Sequence, residues 1–155
     1  MRNALETDAR RAMRAQAIGG ERVRWRVRGQ TNVSFTPDRS GFLTPDFLIR
    51  HGSDTVLVGE VLDGSDTIRH IEWRKARYAD AGIPWYWEVE LDADGPRDIT
   101  CVRAYGLATV DRAGLVVEPR RPMVYVPVGE WEPDGLGIEF PEPFAMSIGW
   151  EDLAF

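Results

Sequence analysis

The sequence predicts a sheet-based domain of the α/β or α+β class, in which helices pack on a β-sheet. Apolar and polar residues alternate in several short segments, and this period of two is typical of strands. Two other segments have the composition and the end signals of helices, and predicted strands lie between and after them. One helix, a run of strands, a second helix and further strands indicate this architecture. The 155 residues contain no repeat or linker, so we expect a single domain over residues 1–155.

A first helix and a first strand are predicted in the N-terminal part of the chain. Residues 3–17 are rich in Ala and Arg, and the pair Gly19-Gly20 is a helix stop signal. Residues 22–28 alternate strictly between apolar side chains and arginine, which predicts a strand with its apolar face toward the core. Residues 30–42 contain Pro, Asp, Ser and Gly and are predicted to form a loop.

Two strands at residues 45–51 and 55–62 are predicted to form a hairpin across Gly52-Ser53-Asp54. The length of the turn decides which side chains share a face, because side chains alternate along a strand. A three-residue turn pairs His51 with Thr55, and the glycine in the connection makes this turn reasonable. A two-residue turn would shift the pairing by one residue.

The second helix is predicted over residues 66–81. Ser65 or Asp66 is the expected N-terminal cap, and Gly82 with the following proline ends the helix. The tail over residues 138–155 is interrupted by proline and ends in a short amphipathic piece. Later strands are expected at residues 85–91, 99–106, 114–118 and 123–126.

Charge and cysteine content exclude several classes of protein. The net charge of −6 argues against general adhesion to nucleic acid, although residues 1–30 hold eight arginines against three acidic side chains. Cys101 is the only cysteine, which excludes an intramolecular disulfide and a cysteine-based zinc site. No uncharged stretch approaches the roughly 18 residues of a membrane span, and the N-terminus has no apolar leader. We therefore expect a cytoplasmic protein without a membrane partner.

Four arginines occupy one face of the first predicted strand: Arg22, Arg24, Arg26 and Arg28. Their spacing gives about 20 Å of positive charge along an extended chain. One interpretation is a track for the phosphate backbone of DNA. The alternatives are that these arginines pair with the acidic surplus of the rest of the chain, cover a subunit interface or protect an edge strand from aggregation.

Asp46 and Glu60 are a candidate metal site on the predicted hairpin. With the three-residue turn they lie directly opposite each other, with Cβ atoms about 4.5–5.5 Å apart. Two like charges at an apolar surface repel and resist desolvation, and Mg²⁺ would relieve both effects. The alternative is that one carboxylate lies at the rim of the sheet, solvated or paired with Arg50. The apolar residues expected on the face of Glu60 are Val56, Val58 and Leu62.

Four segments together resemble the Uma-two family of endonucleases, of the restriction-endonuclease-like, PD-(D/E)xK superfamily. The likeness covers about residues 43–105, with a closing segment at 143–153. It implies an α/β fold with a mixed β-sheet flanked by helices. It also implies a Mg²⁺ or Mn²⁺ site with Asp46 and Glu60 as catalytic metal ligands, and hydrolysis of DNA phosphodiester bonds. The segments are Pro45-Asp46, Val58-Gly59-Glu60-Val61-Leu62, Lys75-Ala76-Arg77-Tyr78-Ala79-Asp80-Ala81-Gly82-Ile83-Pro84 and Tyr86-Trp87-Glu88-Val89.

The chain departs from the family pattern on the second helix. The family lysine stands four residues before Tyr78, where this chain has Arg74 beside Lys75, and the family acid four positions earlier is His70. The superfamily lysine position is occupied by Leu62. Arginine keeps the positive charge but does not deprotonate, so it can stabilise charge but is a poor base.

The resemblance therefore implies that Arg74 or Lys75 is the positive catalytic group. Helical periodicity places Ile68, Ile71, Lys75 and Tyr78 on the stripe that faces the sheet, and Lys75 could reach Glu60 or extend to the rim. The alternative function is an inactive nuclease-fold module that binds nucleic acid or protein. A homodimer would suit an enzyme that cuts both strands of a duplex.

Overall fold

A mixed sheet of six strands forms the centre of the structure, a computed structural model that describes residues 25–29, 31–34, 41–92, 98–109, 123–140 and 146–150. Its order is β1-β4-β5-β6-β7-β8, and the described residues contain two smaller antiparallel pairs, β2–β3 and β9–β10. In chain order the elements are β1 (Trp25–Gly29), β2 (Val33–Ser34), β3 (Phe42–Leu43), β4 (Phe47–His51), β5 (Asp54–Leu62), α1 (Ile68–Asp80), β6 (Trp85–Leu91), β7 (Ile99–Thr109), β8 (Met123–Trp131), β9 (Ile138–Phe140) and β10 (Met146–Ile148).

The sheet is mixed because β5 and β6 run parallel, while the other neighbouring strands described in it run antiparallel. Parallel neighbours need a crossover connection, and α1 provides it between β5 and β6. The predicted α/β fold with a mixed sheet is confirmed.

The β4–β5 hairpin turns at Gly52-Ser53, so that His51 pairs with Asp54. The predicted three-residue turn, with His51 opposite Thr55, is therefore wrong. Gly52 has a φ of 62°, a left-handed conformation that glycine adopts without steric cost. This freedom permits the tighter two-residue turn, which the sequence analysis did not favour.

A β-bulge then restores the register that the longer turn would have given. The pairing shifts by one residue at Val56, which has no partner on β4. Beyond the shift Phe47 pairs with Gly59, and Asp46 and Glu60 are the next residues of the two chain segments. Val56 was expected on the same face of the sheet as Glu60. This expectation is wrong, because the bulge places Val56 on the opposite side of the sheet.

Two hydrophobic cores lie on opposite sides of the sheet. On one side Trp87 of β6 packs against the β9–β10 pair, with its ring centroid 5.1 Å from that of Phe140. On the other side Tyr86 packs under α1, with its ring centroid 5.8 Å from that of Tyr78. Because both faces of β6 are buried, the predicted strand 85–91 is a central strand, and its bounds are confirmed.

Helix α1 begins and ends with capping interactions. The side chain of Thr67 accepts a hydrogen bond from the backbone N–H of His70, so the cap is Thr67 and not the predicted Ser65 or Asp66. At the other end Gly82 has a φ of 71°, and the backbone N–H of Ile83 donates to the carbonyl of Tyr78. This Schellman arrangement ends the helix where the glycine signal predicts.

The remaining predictions differ in extent from the structure or fall outside the described residues. β7 and β8 continue to Thr109 and Trp131, farther than predicted, because they pair with each other along most of their length. The predicted helix 3–17 and strand 114–118 lie outside the described residues. Ile68, expected on the sheet-facing stripe, is 80% exposed at the start of α1. No helix among the described residues is long and apolar enough to cross a membrane.

Candidate active site

The β4–β5 hairpin brings the two predicted carboxylates to the same end of the sheet. Glu60 lies in β5 and is only 3% exposed, whereas Asp46 directly precedes β4 and is exposed. The backbone N–H of Val61 donates a 2.8 Å hydrogen bond to Asp46 Oδ2. This bond holds the Asp46 carboxylate beside the residue that follows Glu60, and the charge of Asp46 contributes to a raised pKa of Glu60.

The Glu60 carboxylate is buried beneath α1 between two donors. The Tyr78 hydroxyl donates a 2.6 Å hydrogen bond to Glu60 Oε1, and Arg74 Nη1 lies 3.4 Å from Glu60 Oε2. Burial raises the pKa of Glu60 from 4.5 to about 7, although the Tyr78 hydrogen bond and the Arg74 charge lower it. We therefore expect the Glu60 carboxyl group to change its protonation state near neutral pH.

Arg74 links Glu60 to the loop that precedes the helix. Its Nη2 lies 2.6 Å from Asp66 Oδ1, so one guanidinium contacts two carboxylates. Burial lowers the pKa of Arg74, but the charges of Glu60 and Asp66 outweigh this effect and raise it above its ordinary value. Arg74 therefore stays protonated and supplies a fixed positive charge beside Glu60.

Lys75 does not contact Glu60, contrary to one of the sequence expectations, but forms a second buried ion pair. Its Nζ lies 2.8 Å from Glu88 Oε1, and its side chain is 13% exposed. The same Nζ lies 4.0 Å from the ring centroid of Tyr105, whose hydroxyl donates a 2.7 Å hydrogen bond to Glu88 Oε2. Of the two candidate basic residues, Arg74 is the one that contacts a carboxylate of the hairpin, that of Glu60.

Glu88 was missed as a candidate functional residue, although the sequence carried a signal for it. It is 4% exposed, and it pairs in register with Glu60 on the parallel neighbour strand. In the predicted strand 85–91, Tyr86 and Glu88 are two residues apart and share one face. Glu88 therefore directly follows an aromatic run with its carboxylate on the face of Tyr86. A buried charge needs a partner, and the helix that crosses from β5 to β6 carries Lys75 within reach.

Asp46 and Glu60 fit a divalent metal by the chemistry of their donor atoms. Mg²⁺ prefers oxygen ligands and is held by one or two carboxylates, with waters and substrate phosphates completing its shell. The described residues contain no group of three or more His, Cys, Asp and Glu side chains arranged for a metal ion. A cation at this pair would need further oxygens from water or substrate, and it would compete with the 3.4 Å Arg74 contact to Glu60.

The predicted arginine stripe is described only in part. Arg22 and Arg24 lie outside the described residues, whereas Arg26 and Arg28 lie in β1 and Arg28 is exposed. Arg26 is in register with Arg50 of β4. Among the described residues Arg50 pairs with neither of the hairpin carboxylates, so this part of the alternative is not observed. The exposed Asp46 agrees with its other part, a solvated carboxylate at the end of the sheet.

No protein-family model matches the chain, and no curated protein matches it. Among solved structures the chain is similar to a "putative nuclease" belonging to DUF820 from Anabaena variabilis ATCC 29413. The TM-score is 0.53 with 14% sequence identity, and the match covers 97% of this chain and 78% of that chain. At this identity the likeness shows the fold alone, and the fold is α/β and restriction-endonuclease-like.

Proposed function

We propose that this chain is a divalent-metal-dependent endonuclease that hydrolyses DNA phosphodiester bonds and is related to the Uma-two family. The observation that carries the proposal is the position of the buried Glu60 beside the exposed Asp46, with Arg74 against Glu60. The restriction-endonuclease-like fold and the similarity to the "putative nuclease" belonging to DUF820 support it.

Asp46 and Glu60 would hold the Mg²⁺ or Mn²⁺ ion. When bound, such an ion polarises a phosphoryl oxygen and lowers the pKa of its water, which supplies the nucleophile at neutral pH. The protein fixes the Asp46 carboxylate through the Val61 N–H and the Glu60 carboxylate through the Tyr78 hydroxyl. Positions that are set before substrate arrives reduce the reorganisation needed during the reaction.

Arg74 would stabilise the negative charge that develops on the phosphate. Its guanidinium is held by Asp66 and Glu60, so its position does not depend on substrate. Because arginine stays protonated, Arg74 would orient the phosphate and neutralise its negative charge, but it would not accept a proton from water. Lys75, bound to Glu88, would contribute to activity only by fixing α1 on the sheet.

The second candidate function is a nuclease-fold module that binds nucleic acid or protein without turnover. It is favoured by the engagement of both Glu60 oxygens, one by Tyr78 and one by Arg74. In such a protein Arg74 would replace the metal ion as the counter-charge of Glu60.

Cleavage of supercoiled plasmid and of single-stranded DNA, with Mg²⁺ and with Mn²⁺, tests the proposal. The variants are Asp46→Asn, Glu60→Gln, Arg74→Ala and Arg74→Lys, with Asp134→Asn in an exposed loop as the matched control. We expect cleavage to vanish in both hairpin variants and to fall about 10²- to 10³-fold in Arg74→Ala, because a preorganised charge is lost. Arg74→Lys and Asp134→Asn should still cut.

Two outcomes would reject the endonuclease. Wild-type protein that cuts neither substrate with either metal would favour the binding module. Cleavage that survives Asp46→Asn would mean that the hairpin pair is not the site.

A further inference from the structure

A polar groove lies between the β2–β3 pair and the turn end of the β4–β5 hairpin. Its volume is about 860 Å³, and hydroxyl and amide side chains contribute much of its lining, among them Asn32, Ser34, Ser53 and Thr55. Arg50 is the charged residue of the described lining, and no acidic residue lines this groove among the described residues. In the described lining, hydroxyl and amide groups surround the charge of Arg50, and the Ser53 hydroxyl donates a 3.1 Å hydrogen bond to Asp54 Oδ1 beside the groove.

Arg50 has one buried donor that no described residue satisfies. Its Nε is buried and donates no hydrogen bond within the described part of the chain. The guanidinium has five donors in a planar fork, and leaving a buried donor unpaired is costly. An anion with two oxygens in one plane would satisfy it.

The neighbouring strand β1 also carries arginines. Arg26 of β1 is in register with Arg50. Arg28 follows two residues later on the same face of β1 and is exposed. An exposed arginine on the strand beside Arg50 favours an anionic ligand over a cationic one.

We propose that this groove binds the phosphate backbone of nucleic acid, with Arg50 as the phosphate anchor. Arginine binds phosphate oxygens in a bidentate manner, and hydroxyl and amide side chains are common additional contacts to the backbone. The inference rests on the proposed nuclease function for its choice of nucleic acid as the ligand.

The distance along β4 relates the groove to the candidate active site. Arg50 follows Asp46 by four residues, which is about 14 Å along an extended strand. Arg50 is thus an anchor remote from the reacting atoms, and it is not a catalytic residue.

Fluorescence anisotropy with a labelled DNA duplex tests the anchor. Binding is measured in EDTA, where no metal-dependent cleavage occurs, over a series of salt concentrations. The variants are Arg50→Ala, Arg50→Lys and Ser53→Asp, with Arg77→Ala on the exposed side of α1 as the matched control. Ser53 lies exposed in the hairpin turn, so Ser53→Asp adds negative charge to the groove without altering the core.

The logarithm of the association constant falls linearly with the logarithm of the salt concentration. Loss of one phosphate contact should make this slope shallower by about 0.9. We expect this change in Arg50→Ala and not in Arg77→Ala, and we expect Arg50→Lys to keep the wild-type slope. Ser53→Asp should weaken binding at low salt. The anchor is rejected if Arg50→Ala and Ser53→Asp both bind as the control does, or if wild-type protein binds no DNA.

The test separates the anchor from the nuclease proposal. If the protein binds DNA through Arg50 but cuts no DNA, the proposed phosphate anchor is supported and the proposed nuclease function is rejected. Cleavage that depends on Asp46 in a protein whose binding ignores Arg50 would reject the groove alone.

Discussion

Burial of Glu60 predicts that the protein becomes less stable as the pH rises through neutrality. The pKa of Glu60 is raised from 4.5 in the unfolded chain to about 7 in the folded protein. The folded state therefore binds more protons than the unfolded state between these values, and the free energy of unfolding falls as the pH rises across this window. A pKa difference of one corresponds to 1.36 kcal/mol, so the rise from 4.5 to about 7 corresponds to a loss of about 3 kcal/mol.

Urea unfolding in EDTA at a series of pH values from 5 to 8 measures this loss. Glu60→Gln is neutral at every pH, so the stability difference between this variant and wild type should change by about 2–3 kcal/mol across the series. Glu132→Gln, which alters an exposed carboxylate, should follow the wild-type pH dependence. A difference between wild type and Glu60→Gln that stays constant from pH 5 to pH 8 would mean that the pKa of Glu60 is not raised in the folded protein.

Three further predictions follow from contacts near the sheet. Tyr78→Phe removes the hydroxyl donor of Glu60 and should raise the pKa of Glu60 above about 7, which carboxyl carbon chemical shifts in a pH titration would report. Lys75→Met leaves Glu88 buried without its cation and should cost about 3–5 kcal/mol in urea unfolding, much of which the double variant with Glu88→Gln should recover. Gly59→Ala places a Cβ against the ring of Phe47 and should lower the free energy of unfolding by about 1–3 kcal/mol, whereas an unchanged denaturation midpoint would contradict that packing.

The pairing of Asp46 with Glu60 shows what a sequence pattern can and cannot specify. Alternation and the glycine turn signal predict the hairpin and its strands. They do not specify the bulge at Val56, because an extra residue interrupts the period of two on which the alternation signal depends. The expected register was reached by a different route, a shorter turn compensated by one unpaired residue.

The sequence limits the basic residue of the site to Arg74 or Lys75, but it does not decide between the two. Helical periodicity correctly directs Lys75 toward the sheet, but it does not say which strand lies beneath that position. In the structure β6 lies there, so Lys75 meets Glu88, while Arg74 on the flank of the helix reaches Glu60. The long guanidinium side chain makes that reach possible, and no periodicity argument accounts for it.

Titration of Mn²⁺ into the metal-free protein at pH 8, followed by the electron paramagnetic resonance signal of free Mn²⁺, tests the metal site most directly. At this pH Glu60 is largely ionised, because its pKa is about 7. The account predicts one bound Mn²⁺ per chain in wild type and in Asp134→Asn, and its loss in Asp46→Asn and in Glu60→Gln. Equal binding by wild type and Asp46→Asn, or no binding by wild type in the presence of a DNA duplex, would contradict it.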